Sequence, residues 1–295
     1  MYTVADAIAF AIQGAGLRRV FCFPGGTISP VLDALHRHGV EIIIARSEAA
    51  AGHMAQGAHR VSGRRQVVLV TSGPGVTNAT TPLADAFFDG DDIVYLCGQV
   101  GTTLLDKKDG VRQHGFQEVD TQGVMGPVCI ACYTPRTGEN LVRDVVECLH
   151  QEWRDERPGP VVVEMPMDLQ RAKASSLPSP ASVLVNGYQF SGLMAAIDHL
   201  KTMAPIVLCG RGALGAIAQL TELRKRTRAP FLYSLPAVGL RGQFPVEAPP
   251  WRYEGMIGHT GDAAANALLA HAFTVLVLGS RLDIRQVGTI GLPLG

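Results

Sequence analysis

The sequence predicts an α/β fold in two domains, the first of which is built on a parallel sheet. Apolar runs of strand length alternate with runs of helical length, an order typical of a parallel sheet with helices on both faces. The chain has 295 residues, 47% of them hydrophobic, so it can bury a sizeable core in each domain. The segment 173–180 has the Ser- and Pro-rich composition of a linker. We therefore predict a first domain at 1–170, a linker at 171–190 and a second domain at 191–295.

The elements of the first domain follow from apolar runs that end in glycine-bearing turns or in helix caps. Strands are predicted near 18–23, 40–45, 66–71, 92–97, 127–133 and 160–164. Helices are predicted near 4–14, 28–38, 47–61, 75–88 and 138–154. The stretch between the fourth strand and residue 126 has loop composition.

The second domain is predicted to be Rossmann-like and incomplete. It has three clear strands, near 205–209, 230–233 and 273–278. Open sheets of this kind usually have about five or more strands. We therefore expect the chain to end before this fold is closed.

A glycine-rich turn follows the first strand of the second domain. Gly210–Gly215 has the G-x-G-x-x-G spacing of a dinucleotide-binding turn. Such a site also needs an acidic residue at the end of the next strand, and residues 230–234 contain none. A tight strand-to-helix turn is therefore the better explanation of these glycines.

Composition excludes several classes of function. The 26 Lys and Arg residues balance 26 Asp and Glu residues, and they form no basic stripe of the kind that binds nucleic acid. No apolar run approaches the length of a membrane span, and the first residues lack the pattern of a secretory signal. We expect a cytoplasmic protein that binds neither nucleic acid nor a membrane.

The six cysteines are dispersed, and several lie in apolar strand-like runs. This is typical of small buried side chains in a reducing compartment. Cys129 and Cys132 form a C-x-x-C pair, but the pair lacks the helix start of a redox motif and the second ligand pair of a metal site. Structural cysteines are the preferred interpretation.

One acidic residue, Glu48, follows an apolar strand and opens a helix of mostly small residues. Because this helix lacks the polar face of a surface helix, we expect it to be buried together with Glu48. A buried carboxylate becomes neutral or meets a specific partner, and such groups are concentrated at functional sites. The alternative is structural, since Ser47 can cap the helix and the helix dipole favours an acid in the first turn.

Three glycine-bearing turns follow strands of the first domain. They are Phe23–Thr27, Thr71–Asn78 and Gly98–Val100. In open α/β sheets, ligands bind outside the carboxyl ends of the strands, which is where these turns and Glu48 are expected to meet. Each turn alone is more often a simple connection. Together with the acid, they favour a pocket for a small molecule.

These segments resemble the acetolactate synthase-like group of thiamine diphosphate enzymes, and the resemblance covers essentially the whole chain. Residues 1 to about 170 resemble the domain that binds the aminopyrimidine of the cofactor, and the remainder resembles the start of the central domain. The segments that carry the resemblance are Phe23–Gly26, Arg46–Glu48, His53–Ala55, Thr71–Asn78, Gly98–Val100, Gly115–Glu118 and Arg157–Val161.

The resemblance implies roles for individual residues. Glu48 would exchange a proton with N1′ of the aminopyrimidine, and Gln99 would act with it at the reacting end. The residues expected to bind thiamine diphosphate are Pro24, Gly25, Gly26, Glu48, Thr71, Gly73, Pro74 and Asn78. The residues expected to line the pocket for a 2-keto acid are Phe116, Gln117, Arg112 and His114. Arg112 and His114 lie in a polar insert, for which a solvated loop is the simpler interpretation.

The chain also departs from the family. It has no match to the Gly-Asp-Gly…Asn segment that binds Mg²⁺ and the diphosphate, and the nearest string, 261–266, has the wrong spacing. We therefore expect a split, two-component enzyme in which a separate subunit carries the diphosphate and Mg²⁺. Self-association is also expected, since a missing domain would leave apolar surface.

Two substitutions concern the site itself. Ser47 replaces the His usual before the catalytic Glu, and Ile130-Ala131 replaces a Lys-His pair, so the acceptor pocket of acetolactate synthases is not reproduced. The resemblance leaves open whether the central domain holds FAD.

The preferred hypothesis is the pyrimidine-binding subunit of a thiamine diphosphate enzyme that performs decarboxylation or carboligation of a 2-keto acid. The alternative is a non-catalytic partner that binds or regulates a full-length relative. The intact Glu48, Gly73–Gly75 and Gln99 count against that alternative. A nicotinamide-dependent oxidoreductase that uses residues 210–215 is the least favoured hypothesis.

Overall fold

The computed structural model describes residues 2–105, 110–111, 113–150, 158–178, 205–227, 229–244 and 253–288. The chain divides into two units, Met1–Asn186 and Gly187–Gly295. Each unit has its own sheet of parallel strands, which confirms the predicted α/β fold. The domain bounds predicted from the sequence stay a prediction.

The first unit alternates strands and helices from its N-terminus. Strands β1 to β6 are Arg19–Cys22, Glu41–Ile44, Gln66–Val70, Ile93–Gln99, Ala131–Tyr133 and Val161–Pro166. Helices α1 to α7 are Val4–Gly14, Ser29–Arg37, Glu48–Ser62, Pro74–Asp89, Thr121–Met125, Gly138–His150 and Met167–Arg171. Short 3₁₀ helices lie in the connections at Gly26–Ile28, Thr102–Leu104 and Gly126–Val128.

The six strands of the first unit run parallel, in the order β2-β1-β3-β4-β6-β5. Strands β3, β4 and β6 are buried along their whole length, as expected at the centre of a sheet that is covered on both faces. Because the strands share one direction, the turns after β1, β3, β4 and β6 leave the sheet at the same edge.

Successive residues of a strand point to opposite faces of the sheet, and they build two separate cores. Val94 and Leu96 of β4 belong to a core with residues of α1, α2 and α6. Tyr95 and Cys97 belong to a second core with residues of α3 and α4. Helices therefore cover both faces, as the sequence predicts.

Helix α3 is buried on one face only. Ala51 and Ala55 pack in the second core, whereas the side chain of Met54 is 40% exposed and that of Val61 is 91% exposed. The prediction of a buried helix was therefore wrong for the outer face. It was correct for the inner face, which carries the buried Glu48.

The middle of the first unit also differs from the prediction. The strand predicted near 127–133 is confined to Ala131–Tyr133, because Gly126–Val128 forms a 3₁₀ helix with Pro127 in its first turn. Helix α5 lies in the stretch predicted as loop, and the Asp120 side chain caps it by accepting from Gly123 N. The helix predicted at 138–154 is described as far as His150.

The second unit has a four-stranded parallel sheet in the order β10-β7-β8-β9. Strands β7 to β10 are Ile206–Cys209, Phe231–Tyr233, Glu254–Met256 and Val275–Leu278. Helices α8 to α10 are Ile217–Thr227, Ala263–Ala270 and Ile284–Val287. The sequence predicts three of these strands and misses β9, whose Glu-Gly-Met sequence is not an apolar run.

The helices of both units have lengths typical of a packed α/β protein. The longest in the described part of the chain, α4, has 16 residues. None of the described helices is long and apolar enough to cross a membrane. The cytoplasmic location expected from the sequence stays a prediction.

All six cysteines are free thiols, and five of them are buried. Burial raises the pKa of Cys148 and of Cys209 to about 12. A thiol with such a pKa stays protonated at neutral pH and is a poor nucleophile. Cys148 and Cys209 therefore have the structural character predicted from their positions, whereas the hydrogen bond with Cys132 lowers the pKa of Cys129.

Candidate active site

Glu48 is the first residue of α3, and it follows β2 at the carboxyl edge of the sheet. The Ser47 side chain caps this helix by accepting a hydrogen bond from Ala50 N at 3.2 Å. The positive end of the helix dipole favours the Glu48 carboxylate in this turn. Because Ser47 makes the cap, the carboxylate of Glu48 is available for other contacts.

The Glu48 carboxylate has one oxygen held by the protein and one oxygen beside a glycine. The residue is 7% exposed. Its Oε2 accepts a hydrogen bond from Asn78 Nδ2 at 2.6 Å, and Asn78 is the only donor to this carboxylate in the described part of the chain. A Cβ atom on Gly75 would lie 3.4 Å from Oε1. The second oxygen is therefore available to a ligand that lies along the glycine turn.

Cys22 of β1 is an ionisable group that interacts with the Glu48 charge. Burial, reinforced by the nearby Glu48 charge, raises the pKa of the Cys22 thiol to about 12. The thiol stays neutral at physiological pH. It therefore cannot be the proton carrier of this site.

The turns after β1 and β3 and the carboxyl end of β4 approach so closely that side chains are excluded. A Cβ atom on Gly25 would lie 2.3 Å from Thr71 Cβ, and one on Gly75 would lie 2.8 Å from Thr71 Cγ2. A Cβ atom on Gly98 would lie 2.3 Å from Thr27 Oγ1. Glycine is required where the side chain of another residue comes this close to the backbone. The structure thus brings together the two glycine-bearing turns after β1 and β3 and the carboxyl end of β4. The third predicted turn, Gly98–Val100, was wrong in its first two residues, because Gly98 and Gln99 are the last residues of β4.

The residues predicted to bind the cofactor surround this junction, and one side of them is open. Thr71 and Gly25 are half-buried, and Gly73 is buried. The exposed members of the set are Pro24, Gly26, Pro74 and Asn78. The cluster therefore has a surface that a ligand can reach, and its role in cofactor binding stays a prediction.

Gly73 lies against the backbone of Gln117. It has a φ of +58°, and a Cβ atom on it would lie 2.7 Å from Gln117 O. Gln117 has a φ of 60°, which is uncommon for a residue other than glycine. Such conformations persist where surrounding contacts hold them, and they are concentrated at functional sites. Gln117 thus packs against Gly73. Gly73 lies two residues before Gly75, the glycine that borders the Glu48 carboxylate.

Two of the other three residues predicted to line the substrate pocket are described. The side chain of Phe116 is 82% exposed, and His114 is half-buried. Arg112 lies outside the described residues. Gln117 is the pocket residue that the structure connects to the neighbours of Glu48.

Gln99 was expected at the reacting end, and the structure places it in the interior instead. It is 1% exposed. Its Nε2 donates to Val119 O at 2.7 Å and to Glu164 Oε2 at 3.1 Å. Its Oε1 accepts from Val100 N at 2.9 Å. With both donors and the acceptor engaged, this amide belongs to the scaffold of the site and not to its open surface.

Two polar residues that the sequence analysis missed join the turns. Thr27 Oγ1 lies 2.9 Å from Thr71 Oγ1 and accepts a hydrogen bond from Ser72 N at 3.0 Å. Gln170 donates through Nε2 to Thr27 O at 2.8 Å and to Met165 O at 2.7 Å. Contacts between residues this far apart leave no local pattern in the sequence. The glycines beside them were the only local signal.

Comparison with known proteins identifies both units. The family described as "Thiamine pyrophosphate enzyme, N-terminal TPP binding domain" matches residues 2–124, which include β1 to β4 and Glu48. The family described as "Thiamine pyrophosphate enzyme, central domain" matches residues 193–293. The chain belongs to the thiamine pyrophosphate enzyme family. Its two parallel sheets are those of the N-terminal and central domains of that family.

Similar proteins include acetolactate synthases of bacteria and fungi. The isozyme 3 large subunit of Escherichia coli K12 is 34% identical, over 98% of this chain and 50% of that protein. The large subunit of Lactococcus lactis is 32% identical, over 94% of this chain and 48% of that protein. The mitochondrial catalytic subunit of Aspergillus candidus is 34% identical, over 92% of this chain and 40% of that protein. The chain thus spans about half the length of the curated relatives it matches.

The described residues contain no group of three or more His, Cys, Asp or Glu side chains that could hold a metal ion. The sequence assigned the Mg²⁺ of the cofactor to a separate subunit. That assignment stays a prediction.

The glycines of Gly210–Gly215 are used for packing between two turns. A Cβ atom on Gly210 would lie 2.2 Å from Gly279 O, and Gly212 N donates to Gly279 O at 3.0 Å. The turns after the paired strands β7 and β10 therefore meet backbone to backbone. This agrees with the tight-turn interpretation and does not favour a nicotinamide site, because the Gly212 amide is already engaged by Gly279 O. The same contact gives no support to FAD at this turn, and FAD stays an open prediction.

Proposed function

We propose that this chain supplies the aminopyrimidine side of a thiamine diphosphate site in an enzyme that decarboxylates a 2-keto acid or joins it to an acceptor. The observation that carries the proposal is the buried Glu48 carboxylate, with Oε2 held by Asn78 and Oε1 beside Gly75. The relatives support it, because they are named acetolactate synthases.

The residues around Glu48 fit an aminopyrimidine ring. The glycine-bearing turns pack closely on one another, and their exposed residues Pro24, Gly26 and Pro74 leave a side that a flat ring can reach. When bound, the cofactor supplies the carbon nucleophile that attacks the keto group and the electron sink that decarboxylation needs. The chain supplies the orientation of the ring and a carboxylic acid beside it.

The role that follows for Glu48 is to hold a proton at Oε1 and to share it with N1′ of the ring. Its burial excludes water that would compete for this hydrogen bond. Asn78 fixes the carboxyl group through Oε2, so that Oε1 keeps one direction. Gln117, held against Gly73, would face the substrate from the loop side of the same turn.

We also propose that a separate subunit binds the diphosphate and its Mg²⁺, and that the chain self-associates in the complex. The segments matched here belong to the N-terminal and central domains of the family, and diphosphate binding is the part of the site that this proposal gives to another polypeptide. A longer form of this chain that contains the third domain is the competing arrangement.

Calorimetric titration with thiamine diphosphate and Mg²⁺ tests the arrangement. The chain is titrated alone and after mixing with each polypeptide that carries a Gly-Asp-Gly…Asn segment and is encoded beside it. We expect weak or no binding by the chain alone and tight binding by one of the mixtures. Tight, Mg²⁺-dependent binding by this chain alone would contradict the two-component proposal.

The variant Glu48→Gln tests the proton role in the active mixture. We expect kcat/KM for a 2-keto acid to fall by ~10²- to 10⁴-fold, the usual contribution of a positioned acid or base. The matched control is Glu41→Gln, which changes an exposed acid paired with Arg19 on the surface and should leave kcat/KM unchanged. Full activity of Glu48→Gln would refute the mechanism and favour the non-catalytic alternative, in which the chain only binds or regulates a full-length relative.

A further inference from the structure

Gln99 is the centre of a buried hydrogen-bond network that reaches the loop carrying Gln117. We define residues 115–119 as the Gln117 loop. The Gln99 amide lies at the carboxyl end of β4 and donates to Val119 O, the last residue of this loop, at 2.7 Å. The network therefore connects the central sheet directly to the loop.

Glu164 of β6 fixes the orientation of the Gln99 amide. Glu164 is 3% exposed, and its Oε1 accepts from Arg136 Nη1 at 3.1 Å. A carboxylate accepts hydrogen bonds and cannot donate them. The Gln99 amide therefore turns its Nε2 group, and not its oxygen, toward Glu164 Oε2. The ion pair with Arg136 offsets the cost of burying the charge. With the amide held this way, its other Nε2 proton is donated to Val119 O.

The Gln117 loop makes two further close contacts with the carboxyl edge of the sheet. A Cβ atom on Gly115 would lie 2.6 Å from Val100 Cγ2, so the loop lies directly on the residue that follows β4. The backbone of Gln117 lies against Gly73, where a Cβ atom would be 2.7 Å from Gln117 O. A displacement of Val119 would therefore change the place of Gln117 relative to the glycine turn.

We propose that Gln99 is a positioning residue which, together with Glu164, holds the Gln117 loop against the Gly73 turn. Gln99 acts through the Val119 carbonyl and does not touch substrate or cofactor. The consequence of this role for catalysis rests on the proposed function, because Gln99 sets the position of Gln117 relative to Glu48. The contact between Gln99 and the loop does not depend on that function.

The backbone conformation of Gln117 explains why the loop needs such a contact. A φ of 60° at a residue other than glycine is kept only where neighbouring contacts enforce it. The hydrogen bond from Gln99 is made two residues further along the loop. Without it, one end of the strained segment would be released.

Hydrogen exchange of the full chain, read by mass spectrometry on peptides that cover 113–120, measures this contact without cofactor or activity. Gln99→Met keeps the size of the side chain and removes both amide donors. We expect exchange in these peptides to rise by ~tenfold, as for the loss of a buried hydrogen bond. Gln99→Glu should have a larger effect, because it also places a second carboxylate beside Glu164.

Gln13→Glu is the matched control. Gln13 lies in α1, and its amide also donates to a backbone carbonyl, that of His38. This variant should leave the 113–120 peptides at the parental exchange rate. Circular dichroism and cooperative unfolding show whether each variant keeps the fold. Parental exchange of the loop in both Gln99 variants, or loss of the fold in both, would make Gln99 a core residue only and would overturn the proposal.

Assays of the active mixture separate this proposal from the proposed function. We expect Gln99→Met to lower kcat more than it raises KM, because a displaced Gln117 weakens a contact made during the reaction. One outcome separates the two proposals: exchange of the 113–120 peptides rises in Gln99→Met, but the parent mixture has no thiamine diphosphate-dependent activity. That outcome would contradict the proposed function and support the positioning role. An active parent whose Gln99→Met variant keeps both activity and parental exchange would contradict the positioning role alone.

Discussion

At the scale of single residues, one hydroxyl joins the turns that form the candidate site. Thr27 Oγ1 lies 2.9 Å from Thr71 Oγ1 and accepts from Ser72 N at 3.0 Å. Gly98 has no side chain where Thr27 Oγ1 approaches it. The turns after β1 and β3 and the carboxyl end of β4 are therefore fixed relative to one another by contacts to Thr27.

Replacing this hydroxyl should loosen the junction. We expect Thr27→Val to lower the free energy of unfolding by about 1 kcal/mol, because Ser72 N loses its acceptor. Thr27→Ser keeps the hydroxyl and should stay closer to the parent, and urea unfolding measures both. Thr221→Val is the control, since its exposed hydroxyl donates only to Ile217 O within α8. A Thr27→Val chain as stable as the parent would show that the hydroxyl does not hold the turns.

Residues differ in how far the sequence alone can place them. The burial of Glu48 and the meeting of the glycine turns could be predicted, because an acid after an apolar strand and glycines after strands are local patterns. The orientation of Gln99 could not be predicted. Its partners Val119 and Glu164 are 20 and 65 residues away in the chain. The course of the loop brings Val119 close to Gln99, and the pairing of β4 with β6 brings Glu164 close.

At the scale of elements, a buried acid joins the start of α1 to the end of α2. Asp6 completes a capping box with Thr3, and its Oδ1 lies 2.8 Å from both Arg37 Nη2 and His38 Nε2. Burial alone would raise the pKa of Asp6. Hydrogen bonds from Thr3, His38 and Arg37 outweigh burial and hold the pKa of this carboxyl well below its usual range.

This pKa shift predicts a pH dependence of stability. Because the folded-state pKa of Asp6 lies below its unfolded value of about 3.9, the ionised form stabilises the fold above that value, and the contribution is lost as the pH falls. Urea unfolding between pH 6 and pH 2 should therefore show a shallower loss of stability in Asp6→Asn than in the parent. Glu41→Gln, which removes an exposed acid, should keep the parental slope. Equal slopes for Asp6→Asn and the parent would contradict this role.

Elements marked by continuous apolar runs, such as β3 and β4, lie where the sequence predicts them. Strand β9 was missed because tertiary contacts, and not an apolar run, determine it. It pairs with β8, and Glu254 within it forms an ion pair with the buried Arg224 of α8. A pattern of single residues does not contain such a partner.

At the scale of the whole molecule, residues just after position 170 pair with the N-terminal residues of the first unit. The segment 172–174 makes backbone contacts with the residues that precede and begin α1. They are the bridge between Thr3 and Lys173, the bond from Val4 N to Ala172 O at 2.9 Å, and the bond from Ala174 N to Tyr2 O at 3.0 Å. Linker composition indicates where a domain ends, but it does not show that the two ends of the domain pair.

We expect the fragment 1–178 to fold on its own, because both cores of the first unit are made of its own residues. The fragment 1–170 should be less stable by about 1–3 kcal/mol, because it lacks the two backbone hydrogen bonds made by 172–174. Urea unfolding followed by circular dichroism compares the two fragments. Lys173→Ala in fragment 1–178 is the control and should leave stability unchanged, since it alters no backbone group. Equal midpoints for 1–170 and 1–178 would show that the pairing of the two ends does not stabilise the first unit.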